Sequence, residues 1–184
     1  EVGDKGAGAL VIGPAGENLV KFAVIESEHW RSLGRAGIGA VMGSKKLKGI
    51  VFHGNKRRDL ADPSSLKRLA QAFKERVENH PIVANYKKYG TPMLVSIMNT
   101  IGAFPTRYWS QGKLDGWEGI SAESLLEHCD VSPKACPHCF MACGNISKVK
   151  QGRHRGLRIM GPEYETIYAF GGLCMVKSIE DIIY

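Results

Sequence analysis

The stretch ACPHCFMACGN, residues 135–145, carries Cys136, Cys139 and Cys143 in the spacing C-x2-C-x3-C. A C-x2-C pair can put two thiolates on one metal only if the backbone bends back within a few residues. The segment must therefore be a tight turn. A third cysteine four residues later suits an iron–sulfur cube, whose corners need thiolates arriving from several directions. Zinc is the alternative, with His138 between the first two cysteines and His128, His154 or Cys129 near enough in sequence to add a donor. Three buried apolar thiols are the bland reading, and a poor one at this spacing. A tetrahedral zinc site or a cubane needs four donors, so a fourth ligand has to come from elsewhere.

With 184 residues the chain is long enough for a hydrophobic core in one domain or in parts of two. No apolar run approaches the roughly 20 residues of a membrane-spanning helix. The chain opens EVGDKGAGAL, without an initiator Met or a basic signal region, and closes on SIEDIIY inside a helical pattern. We therefore expect an internal fragment of a longer protein. The formal net charge of +7 is dispersed in short groups such as KKLK, KRR and RHR. No nucleic-acid motif accompanies it, which argues against a nucleic-acid-binding module and leaves an anionic cofactor or an acidic partner. Five unevenly clustered cysteines do not make a disulfide framework, so the expected compartment is reducing, namely the cytoplasm.

Residues 9–13, ALVIG, read as a buried strand and turn, residues 19–25, LVKFAVI, as a second strand, and residues 48–53 as a third. A glycine-rich loop, GRAGIGAVMGSKKLK (34–48), precedes that third strand and runs into a short helix. The polar stretch 55–65 reads as a linker. Asp62 or Ser64 can cap the helix that follows, with Pro63 in its first turn. Leu66, Leu69, Ala70, Phe73 and Val77 then recur at helical spacing, predicting an amphipathic helix over 64–79. Further helices are expected at 91–102, at 121–129 behind a Ser cap, from about Tyr164, and after Ser178. Residues 103–119 read as an aromatic-rich loop, and the segment after the cysteines as strand-like. Strands followed by helices predict an α+β protein: a β-rich part over 1–56, then a mainly helical part over 57–184.

Two other stretches bear on chemistry. In GRAGIG, Gly37 and Gly39 let a backbone approach a ligand closely, successive N–H groups can cradle phosphate oxygens, and Arg35 can add a bidentate grip. The pattern is neither a Walker loop nor a clean G-x-G-x-x-G fingerprint, and glycine-rich turns between strand and helix are more often structural. In GPEYE, 161–165, two glutamates flank a tyrosine just before a helix. A glutamate there is by default a cap; beside a metal cofactor in a dry pocket it can transfer a proton. His29, Trp30, His53 and His80 form no constellation with a Ser or Cys nucleophile, so a nucleophilic hydrolase fits poorly.

Taken together, IGPAGENLVKFA (12–23), GRAGIGAVMGSKKLK, NTIGAFPTRYW (99–109), CPHCFMACG and GPEYE resemble the aldehyde:ferredoxin oxidoreductase family, in the family's order and across essentially the whole chain. The resemblance, not the spacing, implies a tungsten (or molybdenum) bis-pterin cofactor beside a 4Fe–4S cluster. It implies that Cys136, Cys139 and Cys143 are cluster ligands, that the fourth comes from a later domain, and that Cys129 and Cys174 are not ligands. It implies that Arg35, Ala36 and Gly37 contact the pterin, that Glu165 is the carboxylate near the metal, and that Tyr164 polarises the substrate carbonyl. The expected architecture is the end of an N-terminal pterin-binding β domain joined to the start of a helical domain. The expected reaction is oxidation of an aldehyde to a carboxylic acid with ferredoxin as acceptor, in a protein with no membrane or nucleic-acid partner. A homodimer is compatible with the resemblance. The competing readings are a related tungstopterin reductase of an aromatic thioester, which to our reading lacks GPEYE, and a non-enzymatic zinc module.

Overall fold

The computed structural model describes residues 6–27, 31–56, 59–136 and 139–184. His29 and Trp30 lie outside the described residues. The fold is α+β, and the chain divides into two compact units, Glu1–Ala61 and Asp62–Tyr184.

The first unit holds a four-stranded antiparallel sheet in the order β3-β2-β1-β4, from β1 (Gly8–Val11), β2 (Ile25–Ser27), β3 (Arg31–Leu33) and β4 (Gly49–Phe52). β1 lies between β2 and β4, with Leu10 opposite Ser27 on one side and Ile50 on the other. Two short helices, α1 (Pro14–Glu17) and α2 (Ile38–Ser44), pack together through glycines. A Cβ at Gly43 would run into the carbonyl of Gly16, and one at Gly39 into the carbonyl of Val24. The expected strand over 19–25 is corrected. Leu19 sits in a left-handed turn (φ 59°) after α1, and only Ile25–Ser27 pairs in the sheet. The physical reason lies across the unit: the Ala23 carbonyl accepts from the Gly39 amide at 2.9 Å, so this backbone supports α2 and is drawn away from a strand ladder.

The second unit begins with α3 (Pro63–Val77). The Asp62 carboxylate caps it, accepting from the Ser65 amide at 2.9 Å, and Pro63 occupies its first turn. That hydrogen bonding holds the Asp62 carboxyl below its ordinary pKa. The apolar stripe of α3 does not reach a core: Leu66, Leu69 and Phe73 are exposed. α4 (Pro81–Tyr89) was not anticipated from periodicity, although Pro81 at its start and Gly90 at its end are ordinary boundary residues. A 3₁₀ turn (Thr91–Met93) leads into α5 (Leu94–Thr100), and α6 (Ala122–His128) is capped by the Ser121 hydroxyl.

A three-stranded antiparallel sheet follows, β5 (Cys129–Lys134), β6 (Gly144–Val149) and β7 (Arg158–Met160), ordered β5-β6-β7. The chain ends with α7 (Tyr164–Ile167), a π-helical segment (Tyr168–Leu173) and α8 (Ile179–Ile183) under a Ser178 cap. Val95, Phe104, Leu114, Ile120, Leu125, Cys129, Val149, Ile167, Ile179, Ile182 and Ile183 form one core. That core fastens the β5–β6 hairpin and α7 to the same helices. Among the described residues no helix is long and apolar enough to cross a membrane.

Candidate functional site: a cysteine hairpin joined to the GPEYE turn

β5 and β6 pair from Cys129–Val149 to Lys134–Gly144, and the cysteines occupy the loop that closes this hairpin. The loop bends because the Cys139 amide donates to the Cys136 carbonyl at 3.0 Å and Ala142 takes a left-handed conformation (φ 48°). Cys136 and Cys139 are exposed and Cys143 is half-buried. No disulfide joins any of the five cysteines. Burial pushes the Cys143 thiol above its ordinary pKa, and the negative charge of Glu163 pushes it further, followed by weaker contributions from Cys139 and Cys136. The three thiols are thus within electrostatic reach of one another, yet among the described residues no three His, Cys, Asp or Glu side chains are gathered as a metal site.

GPEYE is fastened to this hairpin. The Gly161 amide donates to the Asn145 carbonyl at 2.7 Å, and the Ser147 hydroxyl donates to the Gly161 carbonyl at 2.6 Å. From the other side, the Thr91 hydroxyl donates to Glu163 Oε2 at 2.5 Å and accepts from the Tyr164 amide at 2.9 Å. Glu163 is therefore a half-buried carboxylate held by Thr91, whereas Glu165 is exposed in the first turn of α7. Burial raises the Tyr164 pKa, with Tyr168 and Glu165 adding to it, so the phenol keeps its proton and remains a hydrogen-bond donor. Its ring lies 5.3 Å from that of Tyr168 and 6.2 Å from that of Phe104.

Two of the three histidines suggested as zinc donors are engaged elsewhere. His128 Nδ1 lies 2.9 Å from the Ser124 carbonyl, and His154 stacks on Tyr184 at 4.1 Å. His138 lies outside the described residues. Cys129 is a core residue whose thiol is pushed up to about 11, chiefly by burial. In the first unit, Ala36 and Gly37 both have positive φ (77° and 66°) and lead into α2, with Arg35 and Ala36 exposed and Gly37 buried. A Cβ at Gly37 would strike the Lys21 carbonyl, so the close approach this glycine permits is to the chain's own backbone.

Against this geometry, the family model for the N-terminal domain of aldehyde ferredoxin oxidoreductase matches residues 1–54, and that for its domains 2 and 3 matches residues 68–184. The chain belongs to the aldehyde ferredoxin oxidoreductase family. It is 37% identical to the tungsten-containing aldehyde ferredoxin oxidoreductase of Thermococcus kodakarensis and 35% identical to that of Pyrococcus furiosus, in both cases over 100% of this chain and 30% of the relative. It is 27% identical to a WOR-like subunit of an aliphatic sulfonate oxidoreductase from Pyrococcus furiosus, over 95% of this chain and 28% of that one. Among solved structures, the fold resembles the active-site complex BamBC of benzoyl coenzyme A reductase bound to 1,5-dienoyl-CoA. The TM-score there is 0.67 at 23% identity, covering 96% of this chain and 28% of the other. The chain thus spans about 30% of the length of the aldehyde ferredoxin oxidoreductases it matches.

For a member of this family, the donor set suits a thiolate-ligated cluster. Three thiols lie on one bent loop, two of them exposed and one half-buried, and soft sulfur donors at this spacing are what such a cluster takes. Two residues after Cys143, Asn145 Oδ1 is a buried acceptor without a partner among the described residues. Sequence reasoning missed Thr91, Asn145 and Ser147. Nothing local marks them: Thr91 meets Glu163 across 72 positions of chain.

Proposed function

We propose that this chain is the part of a tungsten (or molybdenum) bis-pterin aldehyde oxidoreductase that carries three cluster ligands and the proton-transfer groups. The reaction takes an aldehyde and water to a carboxylic acid, two protons and two electrons, with ferredoxin accepting the electrons one at a time. The bound pterin metal would supply the two-electron redox chemistry and carbonyl polarisation, and a 4Fe–4S cluster the one-electron relay. Cys136, Cys139 and Cys143 would hold the cluster from the β5–β6 loop. Arg35, Ala36 and Gly37 would contact the pterin, with the Arg35 guanidinium matched to phosphate oxygens. Tyr164, a phenol that keeps its proton at neutral pH, donates a hydrogen bond to the aldehyde oxygen. Glu165, on the next residue, takes the proton released as the acid forms.

The observation that carries this reading is the tether between GPEYE and the cysteine hairpin through Gly161, Asn145 and Ser147. It joins the turn that carries Tyr164 and Glu165 to the hairpin that carries the three cysteines, which supports assigning proton and electron transfer to neighbouring segments. The test uses the full-length protein purified without oxygen. Tungsten or molybdenum with about four iron atoms per chain is expected. Glu165→Gln should retain both metals and lose about 10²–10⁴-fold in turnover. Wild-type turnover in that variant would end the proton-transfer role, and zinc without iron or a pterin metal would end the whole reading.

A further inference from the structure

β6 and β7 pair with Ile146 opposite Met160 and Lys148 opposite Arg158. The Gly161 amide extends that ladder by one step, donating to the Asn145 carbonyl at 2.7 Å. In an antiparallel pair each step forward on one strand is a step back on the other. The register, continued two residues past the Asn145–Gly161 bond, sets Glu163 opposite Cys143. The turn between α4 and α5 ties together the same two residues. A Cβ at Gly90 would lie 2.7 Å from the Cys143 carbonyl oxygen, so this approach needs a glycine. The next residue, Thr91, donates its hydroxyl to Glu163 Oε2 at 2.5 Å.

Glu163 and Cys143 are both half-buried. Glu163 stands at the N-cap of α7, yet its side chain caps nothing there and bonds to Thr91 instead. Thr91 also accepts from the Tyr164 amide at 2.9 Å, so one hydroxyl fixes both the carboxylate and the backbone that follows it. Among the described residues Glu163 forms no ion pair. Its charge is felt at Cys143, where it is second only to burial in raising the thiol's pKa. Partly buried charges are screened by salt much less than exposed ones. A fixed anion beside a thiolate-ligated cluster opposes the addition of an electron, because the potential of such a centre follows the net charge around it.

We propose that Glu163, clamped by Thr91 opposite Cys143, lowers the reduction potential of the 4Fe–4S cluster and so makes the reduced cluster a stronger donor to its electron acceptor. The inference rests on the cluster-binding reading above and adds to it a residue that is neither a ligand nor a proton-transfer group. Glu163 acts through Cys143. The step it acts on is a one-electron reduction in which no bond to Glu163 forms or breaks: the electron comes from the aldehyde and leaves to the acceptor. Charge and shape are separable at this position, because a glutamine can still accept from the Thr91 hydroxyl.

The test uses the full-length protein purified without oxygen, as wild type, Glu163→Gln, Glu163→Ala and Glu163→Asp, each with its iron content measured. A redox titration followed by electron paramagnetic resonance of the reduced cluster reads the potential without turnover. At the potential where the wild-type cluster is half reduced, Glu163→Gln should raise the reduced-to-oxidised ratio about tenfold, a positive shift of about 59 mV for a one-electron couple. Glu163→Ala should shift the same way. Glu163→Asp, which keeps the charge, should stay within about twofold of wild type. An unchanged potential in whichever neutral variant keeps its iron, or an equal shift in Glu163→Asp, overturns the proposal. Loss of iron from both neutral variants also overturns it, because the carboxylate then holds the loop together rather than setting a potential. A wild type that binds no iron fails the cluster reading itself, and the proposal with it.

Discussion

Replacing Tyr108 tests the strained left-handed turn over Arg107, Tyr108 and Trp109 at its least encumbered position. Tyr108 is almost wholly exposed and has no ring partner among the described residues, so truncating it forfeits little packing. Its φ of 50° is the term that matters. A left-handed L-residue costs about 1–2 kcal/mol. Glycine removes that cost but adds about 0.5–1 kcal/mol of unfolded-chain entropy relative to alanine. Alanine keeps the strain. Tyr108→Gly should therefore hold the turn more firmly than Tyr108→Ala by about 0.5–1 kcal/mol. The amides of Arg107 and Tyr108 report this directly, since they close onto the carbonyls of Gly172 and Leu173. Hydrogen exchange at these amides, followed by mass spectrometry, should be roughly two- to fivefold slower in the glycine variant than in the alanine variant. Equal protection, or better protection with alanine, would show that the backbone at 108 is not left-handed.

Two further outcomes follow from the same geometry. Thr91→Val removes the hydroxyl that both donates to Glu163 and accepts from Tyr164, leaving a part-buried carboxylate short of a donor. It should cost about 1–3 kcal/mol and speed exchange at the Tyr164 amide, and an unchanged exchange rate would refute the brace. Cys129, with its thiol held up to about 11 against 9.0 ordinarily, should resist iodoacetamide at pH 8 while Cys136 and Cys139 are alkylated, as peptide mapping would reveal. Because the unfolded thiol gives up its proton near 9 and the folded one only near 11, stability should fall as pH rises across that window. The loss is at most about 2.7 kcal/mol, and denaturation of Cys129→Ala should lack this component of the slope.

The sequence by itself determined the elements whose signals are local. The Asp62, Ser121 and Ser178 caps each accept from the amide three residues on, the strands around Leu10 and Val51 are short apolar runs bounded by turns, and the cysteine spacing forces a bend. It also determined the family, because the five stretches in order form a pattern that local physics need not explain. What it did not determine depended on partners distant in the chain. Residues 20–24 have the composition of a strand, but the amide of Gly39 claims the Ala23 carbonyl, and a hydrogen-bonding group taken by one neighbour is lost to another. The apolar face of α3 has helical periodicity, yet periodicity says only which residues share a face, not whether anything lies against it.

Likewise, residue chemistry alone left the two glutamates of GPEYE equivalent, and only the family resemblance singled out Glu165. Tertiary structure alone gave them different surroundings, Glu163 half-buried and held by Thr91, Glu165 left exposed beside Tyr164. The left-handed turn at 107–109 was invisible for the same reason. No residue in it is a glycine or an asparagine, so no residue type marks positive φ, and the turn is held by the Thr106–Gln111 bridge together with the carbonyls of Gly172 and Leu173 from the π-helical segment.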